Sequence, residues 1–247
     1  MKGNVAVIAA LPGELRPLIQ HRAGVPWTRL KTADGVYAWE YRHAHGCWRA
    51  VCAGMGARRA GLAFAVAEET SEMDAVVSVG WAGALEDGLK AGDTRRAGMV
   101  VDTLTGERFR TAFQEAGLGT LATSDLVADE REKSRLAAAY GASMVDMEAA
   151  TVARLARAHG VPFYCLKAIS DERTAHLPDF SRFIAPHGQI RLRPFMMHSA
   201  VRPHTWRGLI RLGRHSARAA ARMAEAIYGW LDEDGSIRAE ALVKGKR

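Results

Sequence analysis

Three short runs in this chain, residues 5–10, 75–80 and 162–169, are apolar almost from end to end and rich in β-branched side chains. A strand with one wet face alternates polar and apolar residues, whereas a strand without alternation is covered on both faces. Such strands need helices above and below their sheet, so the runs restrict the chain to an α/β architecture. The intervening segments fit. Residues 36–43 alternate and residues 48–53 are apolar, with His45-Gly46 between them, which is the pattern of a hairpin. Further strands are expected at 98–103 and 119–123. Helices are expected at 14–21, 57–69, 130–140 and 147–159, and a long one at 206–231. Asp146 is placed to cap the 147–159 helix and Gly160 to end it. Trp81 to Leu85 reads as a tight loop of small residues. The expected fold class is therefore α/β: a single-domain α/β/α sandwich with a twisted mixed central sheet, spanning residues 1–247. Residues 173–205 carry five prolines or glycines and read as a long irregular insertion. With the last helix they form a basic appendage over 173–231.

Length and composition narrow the function classes. A chain of 247 residues, 48% hydrophobic, buries a sizeable core and is not disordered as a whole. Its apolar runs fall short of the ~18 residues of a membrane span. The first residues show no signal-peptide pattern. Three scattered cysteines (Cys47, Cys52, Cys165) do not make a disulfide framework, and a reducing cytoplasm is expected. The net charge of +7 is concentrated: residues 186–223 hold eight arginines (Arg191, Arg193, Arg202, Arg207, Arg211, Arg214, Arg218, Arg222) and no Asp, Glu or Lys. The rest of the chain is close to neutral. A solvated helix flank and an attraction to anionic lipid headgroups both account for that segment, and nucleic acid is disfavoured.

Familiar motifs fail on spacing. Gly54-x-Gly56 precedes a helix, but the next glycine, Gly61, comes too late for a dinucleotide loop. His43, His45 and Cys47 alternate as metal ligands would, yet a fourth ligand is missing and no metal is expected. No redox cofactor is implied. Three carboxylates are better placed. Glu14 follows the first apolar run, Glu148 opens a helix, and Asp171 directly follows the run at 162–169. Sites in α/β sheets lie beyond the carboxyl ends of strands. Each acid alone also suits a helix first turn, where the dipole favours it.

Four segments, taken in order, carry a resemblance: Val5 to Glu14; Val77-Ser78-Val79-Gly80-Trp81-Ala82-Gly83-Ala84-Leu85 with Leu89-Lys90-Ala91-Gly92-Asp93; Val145-Asp146-Met147-Glu148-Ala149-Ala150; and Val161-Pro162-Phe163 through Lys167-Ala168-Ile169-Ser170-Asp171. Together they resemble the nucleoside phosphorylase/nucleosidase superfamily, and most of all its methylthioadenosine/S-adenosylhomocysteine nucleosidase branch. The resemblance implies hydrolysis of the N-glycosidic bond of a 5′-modified adenosine, with adenine released. Glu14 would activate the attacking water and Asp171 would protonate the purine. Glu148 would accept hydrogen bonds from the ribose hydroxyls, Met147 would pack on the sugar, and Leu126 and Val127 would lie near the base. For Met147 and Val127, plain core packing is an equal alternative. A homodimer is implied as well.

The departures matter. Trp81 stands where the family has a small hydroxyl residue, and Ser78 where the phosphorylase branch has a phosphate-holding arginine. An indole offers a single N–H donor, which disfavours phosphate as nucleophile. Lys167 replaces an arginine beside the catalytic glutamate and is kept among the substrate-binding candidates. The last eighty residues are similar to a hopanoid-associated subgroup, whose proposed substrate, adenosylhopane, carries a polycyclic lipid on its 5′ carbon. Phe180, Phe183, Phe195, Met196, Met197 and Trp206 would suit such a group, and Arg191 to Arg222 would suit a membrane surface, with the enzyme cytoplasmic or peripheral to the inner membrane. A phosphorylase of the same fold, and a non-catalytic nucleoside- or nucleic-acid-binding protein, remain as alternatives.

Overall fold

The computed structural model describes residues 3–20, 26–43, 46–69, 72–175 and 203–232, with side chains in the last segment from 213 to 229. Ten strands and five helices are present among them. In chain order they are β1 (Val5–Ala9), α1 (Pro12–Gln20), β2 (Thr28–Leu30), β3 (Tyr37–His43), β4 (Gly46–Cys52), α2 (Ala57–Glu68), β5 (Ala75–Ala84), β6 (Thr94–Asp102), β7 (Arg108–Arg110), β8 (Gly119–Thr123), α3 (Glu130–Tyr140), β9 (Ala142–Asp146), α4 (Ala149–Ala158), β10 (Phe163–Asp171) and α5 (Pro203–Asp232).

The three apolar runs become β1, β5 and β10. β5 pairs in parallel with both β1 and β10, at the centre of one mixed sheet. The side chains of β1 show why the run could not alternate. Ala6 and Ile8 point into a core shared with Ala60, Ala63 and Phe64 of α2 and with Val152 and Ala156 of α4. Val5, Val7 and Ala9 point the other way, into a core shared with Leu15 and Leu18 of α1 and with Met223 and Ile227 of α5. Each face is thus covered by its own pair of helices, and the α/β/α sandwich with a mixed sheet is confirmed.

The sheet also closes on part of itself. β10 pairs with β5 and β6, β6 with β8, β8 with β9, and β9 with β5, so five strands form a ring while β1, β4, β3 and β2 extend from it as an open sheet. This closure corrects the sequence reading around Trp81. Residues 81–84 are not a loop; they continue β5, because β10 pairs Ala168 with Trp81 and Ile169 with Ala82, and β9 pairs Val145 with Gly83. Small side chains there serve close strand contact rather than a turn. β2, β7 and β9 were not expected. α4 starts at Ala149, two residues later than expected. Asp146 still caps it, accepting from Ala149 N at 3.0 Å. The last helix runs slightly longer than expected at both ends. The expected insertion, with its phenylalanines, methionines and three of the eight arginines of the basic segment, lies almost wholly outside the described residues, as do the side chains of Trp206, Arg207 and Arg211.

Candidate active site

A cavity of about 270 Å³ opens where the carboxyl ends of β1, β5, β9 and β10 converge. Its lining includes Glu14, Trp81, Val127, Met147, Glu148 and Asp171. With Leu126, which also lines it, seven of the eight residues assigned to the site from the sequence therefore meet around one space. The eighth, Lys167, does not line it. Its side chain is fully buried behind the wall, donating to Asp146 Oδ2 at 2.9 Å, Ser78 Oγ at 3.1 Å and the Val79 carbonyl at 3.2 Å. Its contribution reaches the cavity as charge, not as contact.

Glu14 sits in the first turn of α1. Its Oε2 accepts from Ala10 N and Leu11 N, each at 2.8 Å, and its Oε1 accepts from Trp81 N at 2.8 Å. Gly80 lies beneath it with φ near +135°, and a Cβ there would stand 2.7 Å from Glu14 Oε1. Glycine is needed at this position for both reasons. Burial pushes the Glu14 carboxyl above its usual range, against the pull of the three N–H groups and of the Lys167 charge.

Glu148 is the residue before α4, yet its side chain makes no cap. Asp146 takes that task, which leaves the Glu148 carboxylate turned toward the cavity. There Oε1 accepts from Gly56 N at 2.7 Å. Burial, followed by the negative charge of Asp146 and that of Glu14, pushes it up to about 8. Asp146 is itself satisfied by Thr123 Oγ1 at 2.7 Å and by Lys167.

Asp171 ends β10 on the opposite side. Its Oδ1 accepts from Ser170 Oγ at 2.6 Å, and its Oδ2 is paired with the ammonium of Lys133. Lys133 was not singled out from the sequence, nor were Met55, Ser170 and Ser216, which also line the cavity. For Lys133 a signal existed. It shares the stripe of α3 that carries Leu136, Ala137 and Tyr140, three, four and seven residues on, so a lysine stands where the pattern calls for an apolar residue. Ser216 lies far along the chain and could be found only through the fold. Trp81 joins α5 to the site: its Nε1 donates to the Ser216 carbonyl at 3.0 Å, and its ring packs over Gly13.

Comparison with known proteins agrees with this fold. Solved structures share the fold at low identity. The 5′-methylthioadenosine/S-adenosylhomocysteine nucleosidase of Helicobacter pylori, complexed with a pyrrolidine nucleoside analogue, has 17% identity and a TM-score of 0.69 over 94% of this chain and 99% of that one. The futalosine hydrolase of the same organism has 17% identity and a TM-score of 0.68 over 94% and 99%. The Arabidopsis thaliana 5′-methylthioadenosine nucleosidase has 17% and 0.67 over 94% and 96%. No curated protein sequence matches the chain significantly. The family model of the Phosphorylase superfamily matches residues 4–115 and 116–189, about three quarters of the length. With three strand-end carboxylates gathered on a mixed sheet of that fold, the chain belongs to the Phosphorylase superfamily.

Proposed function

We propose that the protein is a nucleosidase that hydrolyses the N-glycosidic bond of a 5′-modified adenosine and releases adenine. One observation carries the choice of water over phosphate. The backbone N–H groups that end β1 and cross β5, those of Ala10, Leu11 and Trp81, are all directed at the Glu14 carboxylate. Donors of that kind hold a phosphate when they face an open space; here an anion of the protein's own occupies them and would repel a second one. The Trp81 indole fills the adjoining place. Water, in contrast, gains a base.

In this reading Glu14 takes a proton from water as it adds to C1′. A raised carboxyl is suited to that task near neutral pH. Glu148 accepts from the ribose hydroxyls, and its charge favours the cationic sugar of the transition state. Asp171 serves the leaving purine. Met147 packs on the ribose, and Leu126 and Val127 flank the base. Trp81 closes the site and Lys167 holds Asp146 so that Glu148 stays free. Met55, Leu11 and Leu126 give the cavity an apolar wall suited to an apolar 5′ substituent, with adenosylhopane as the extreme case. The chain acts as one domain, as a homodimer in the cytoplasm. Its arginine-rich segment brings it to an anionic lipid surface when the substrate is lipid-linked. Arg214 and Arg218 are exposed on α5, whereas Arg222 reaches back to the Gly92 carbonyl at 3.2 Å.

The test is an adenine-release assay on methylthioadenosine, S-adenosylhomocysteine, inosine and an adenosyl-lipid, each with and without phosphate. Free ribose product at equal rates in both conditions supports hydrolysis. A requirement for phosphate with a ribose 1-phosphate product supports a phosphorylase, and binding without turnover ends the enzymatic reading. Co-sedimentation with anionic vesicles at low and high salt tests the lipid contact.

A further inference from the structure

A general acid must hold a proton, and Asp171 is surrounded by groups that donate to it. Ser170 donates to Oδ1 and Lys133 to Oδ2. Lys133 sets an ammonium, a group with three N–H donors, directly against the Asp171 carboxylate. The Lys133 side chain is fully buried, its Nζ shared between Asp171 Oδ2 and the Glu172 carbonyl at 2.8 Å, and it lines the cavity. A buried ion pair is a poor stabiliser, because desolvating two charges offsets most of their attraction. An apolar residue at 133 would complete the stripe of α3 more cheaply. Gly83 on β5 keeps the pair undisturbed: a Cβ there would stand 3.1 Å from Asp171 Oδ2 and 3.3 Å from Lys133 Cε.

We propose that Lys133 is the source of the proton that neutralises the departing purine, with Asp171 as the carrier between them. This rests on the hydrolytic reading above. The C1′–N9 bond breaks with its electron pair going to the base. As charge develops on the purine, Asp171 delivers a proton to N7 and receives one from the Lys133 ammonium, leaving a neutral amine. Water adds to C1′ and its proton goes to Glu14. The cycle closes when Glu14 returns a proton to solvent and Lys133 takes one up. Nothing is oxidised or reduced, and the products are one sugar and one neutral purine.

The test compares two leaving groups in the full-length protein. Adenine needs a proton to leave; 4-nitrophenolate does not. Wild type, Lys133→Met and Lys133→Arg are assayed on 5′-methylthioadenosine and on the matching 5′-methylthio 4-nitrophenyl riboside. Lys133→Met is expected to lower kcat for adenine release at least ~30-fold and nitrophenolate release less than ~3-fold, the gap expected when an acid is lost. Arginine keeps the charge but does not give up a proton, so Lys133→Arg is expected to stay low on adenine while releasing nitrophenolate normally. Equal losses on both substrates, an unchanged adenine rate in Lys133→Met, or restored adenine release in Lys133→Arg would each overturn the proposal. A wild-type protein that cleaves neither substrate would instead overturn the hydrolytic reading itself.

Discussion

The two ends of the cavity hold their carboxylates in opposite ways. Glu14 is gripped by three main-chain N–H groups and, among the described residues, is paired with no cation; Asp171 is gripped by two side chains, one of them an ammonium. Both rest on a glycine of β5, Gly80 under Glu14 and Gly83 under Asp171. A grip made of backbone persists through almost any substitution nearby, so the Glu14 end is fixed by the fold. A grip made of side chains depends on which residues stand there, so the Asp171 end can be adjusted one residue at a time.

The largest expected effect breaks the fixed end. Glu14→Gln keeps the size but removes the base and sets an amide NH2 against one of the N–H donors that now satisfy both oxygens; adenine release should fall about 10³-fold, within the range for losing a general base, with substrate binding checked by calorimetry. Asp171→Asn should cost about 10²-fold in the same assay and leave the Lys133 ammonium buried without its counter-charge. It should therefore also destabilise by roughly 3 kcal/mol, read from urea unfolding. Wild-type stability in Asp171→Asn would show that the adjustable grip does not hold a net charge pair. The glycines separate the ends more finely. Gly80→Ala forces a positive φ and a clash on Glu14, and is expected to damage folding as well as activity. Gly83→Ala presses on the Asp171 pair and on Val145 Cγ1, each at 3.1–3.3 Å and without a positive φ, and should lower activity roughly tenfold with a thermal midpoint much closer to native than that of Gly80→Ala. Equal damage from both would erase the distinction.

The smallest effect concerns Glu148, which lies between the ends. Its carboxyl is pushed up to about 8, so the folded state holds a proton that the unfolded chain has lost. The stability this gives is full at pH below the ordinary carboxylate range and fades as pH rises through about 8. Glu148→Gln should thus unfold higher than wild type at pH 9, by about 2–4 °C for each kcal/mol recovered, and show no gain at pH 4. In the wild type, kcat/KM should rise with pH toward a plateau above about 8, as the charged form of Glu148 becomes available to the ribose. The Glu148→Gln profile should lack that limb.

Much of this was legible in the sequence because it is written locally. β1, β5 and β10 announce themselves by apolar runs, and the polar, helix-prone stretch 130–140 became α3 with the same bounds. The carboxylates could be marked because Glu14 and Asp171 come after apolar runs and Glu148 opens a helix. What stayed hidden depends on partners remote in the chain. Residues 81–84 look like a loop until β9 and β10 flank them, and β9 is five residues whose strand character comes from β8 and β5. Lys167 was kept as a substrate-binding candidate because it stands where the family has an arginine, but its ammonium is taken up inside the wall by Asp146, Ser78 and the Val79 carbonyl. Lys133 was overlooked among the charges of a surface-like helix.

The bond from Trp81 to the Ser216 carbonyl, with Met223 Sδ accepting from Gly80 N at 3.3 Å, gives α5 a standing beyond cover for one face of the sheet. Both contacts land on the two β5 residues adjoining Glu14. The groups assigned to bond breaking all lie at or before residue 171, while this part of the enclosure comes from a separate stretch of chain. Part of the enclosure is therefore held in a different length of polypeptide from the groups assigned to bond breaking. Changes in α5 would reach the cavity through Gly80 and Trp81, the residues against Glu14.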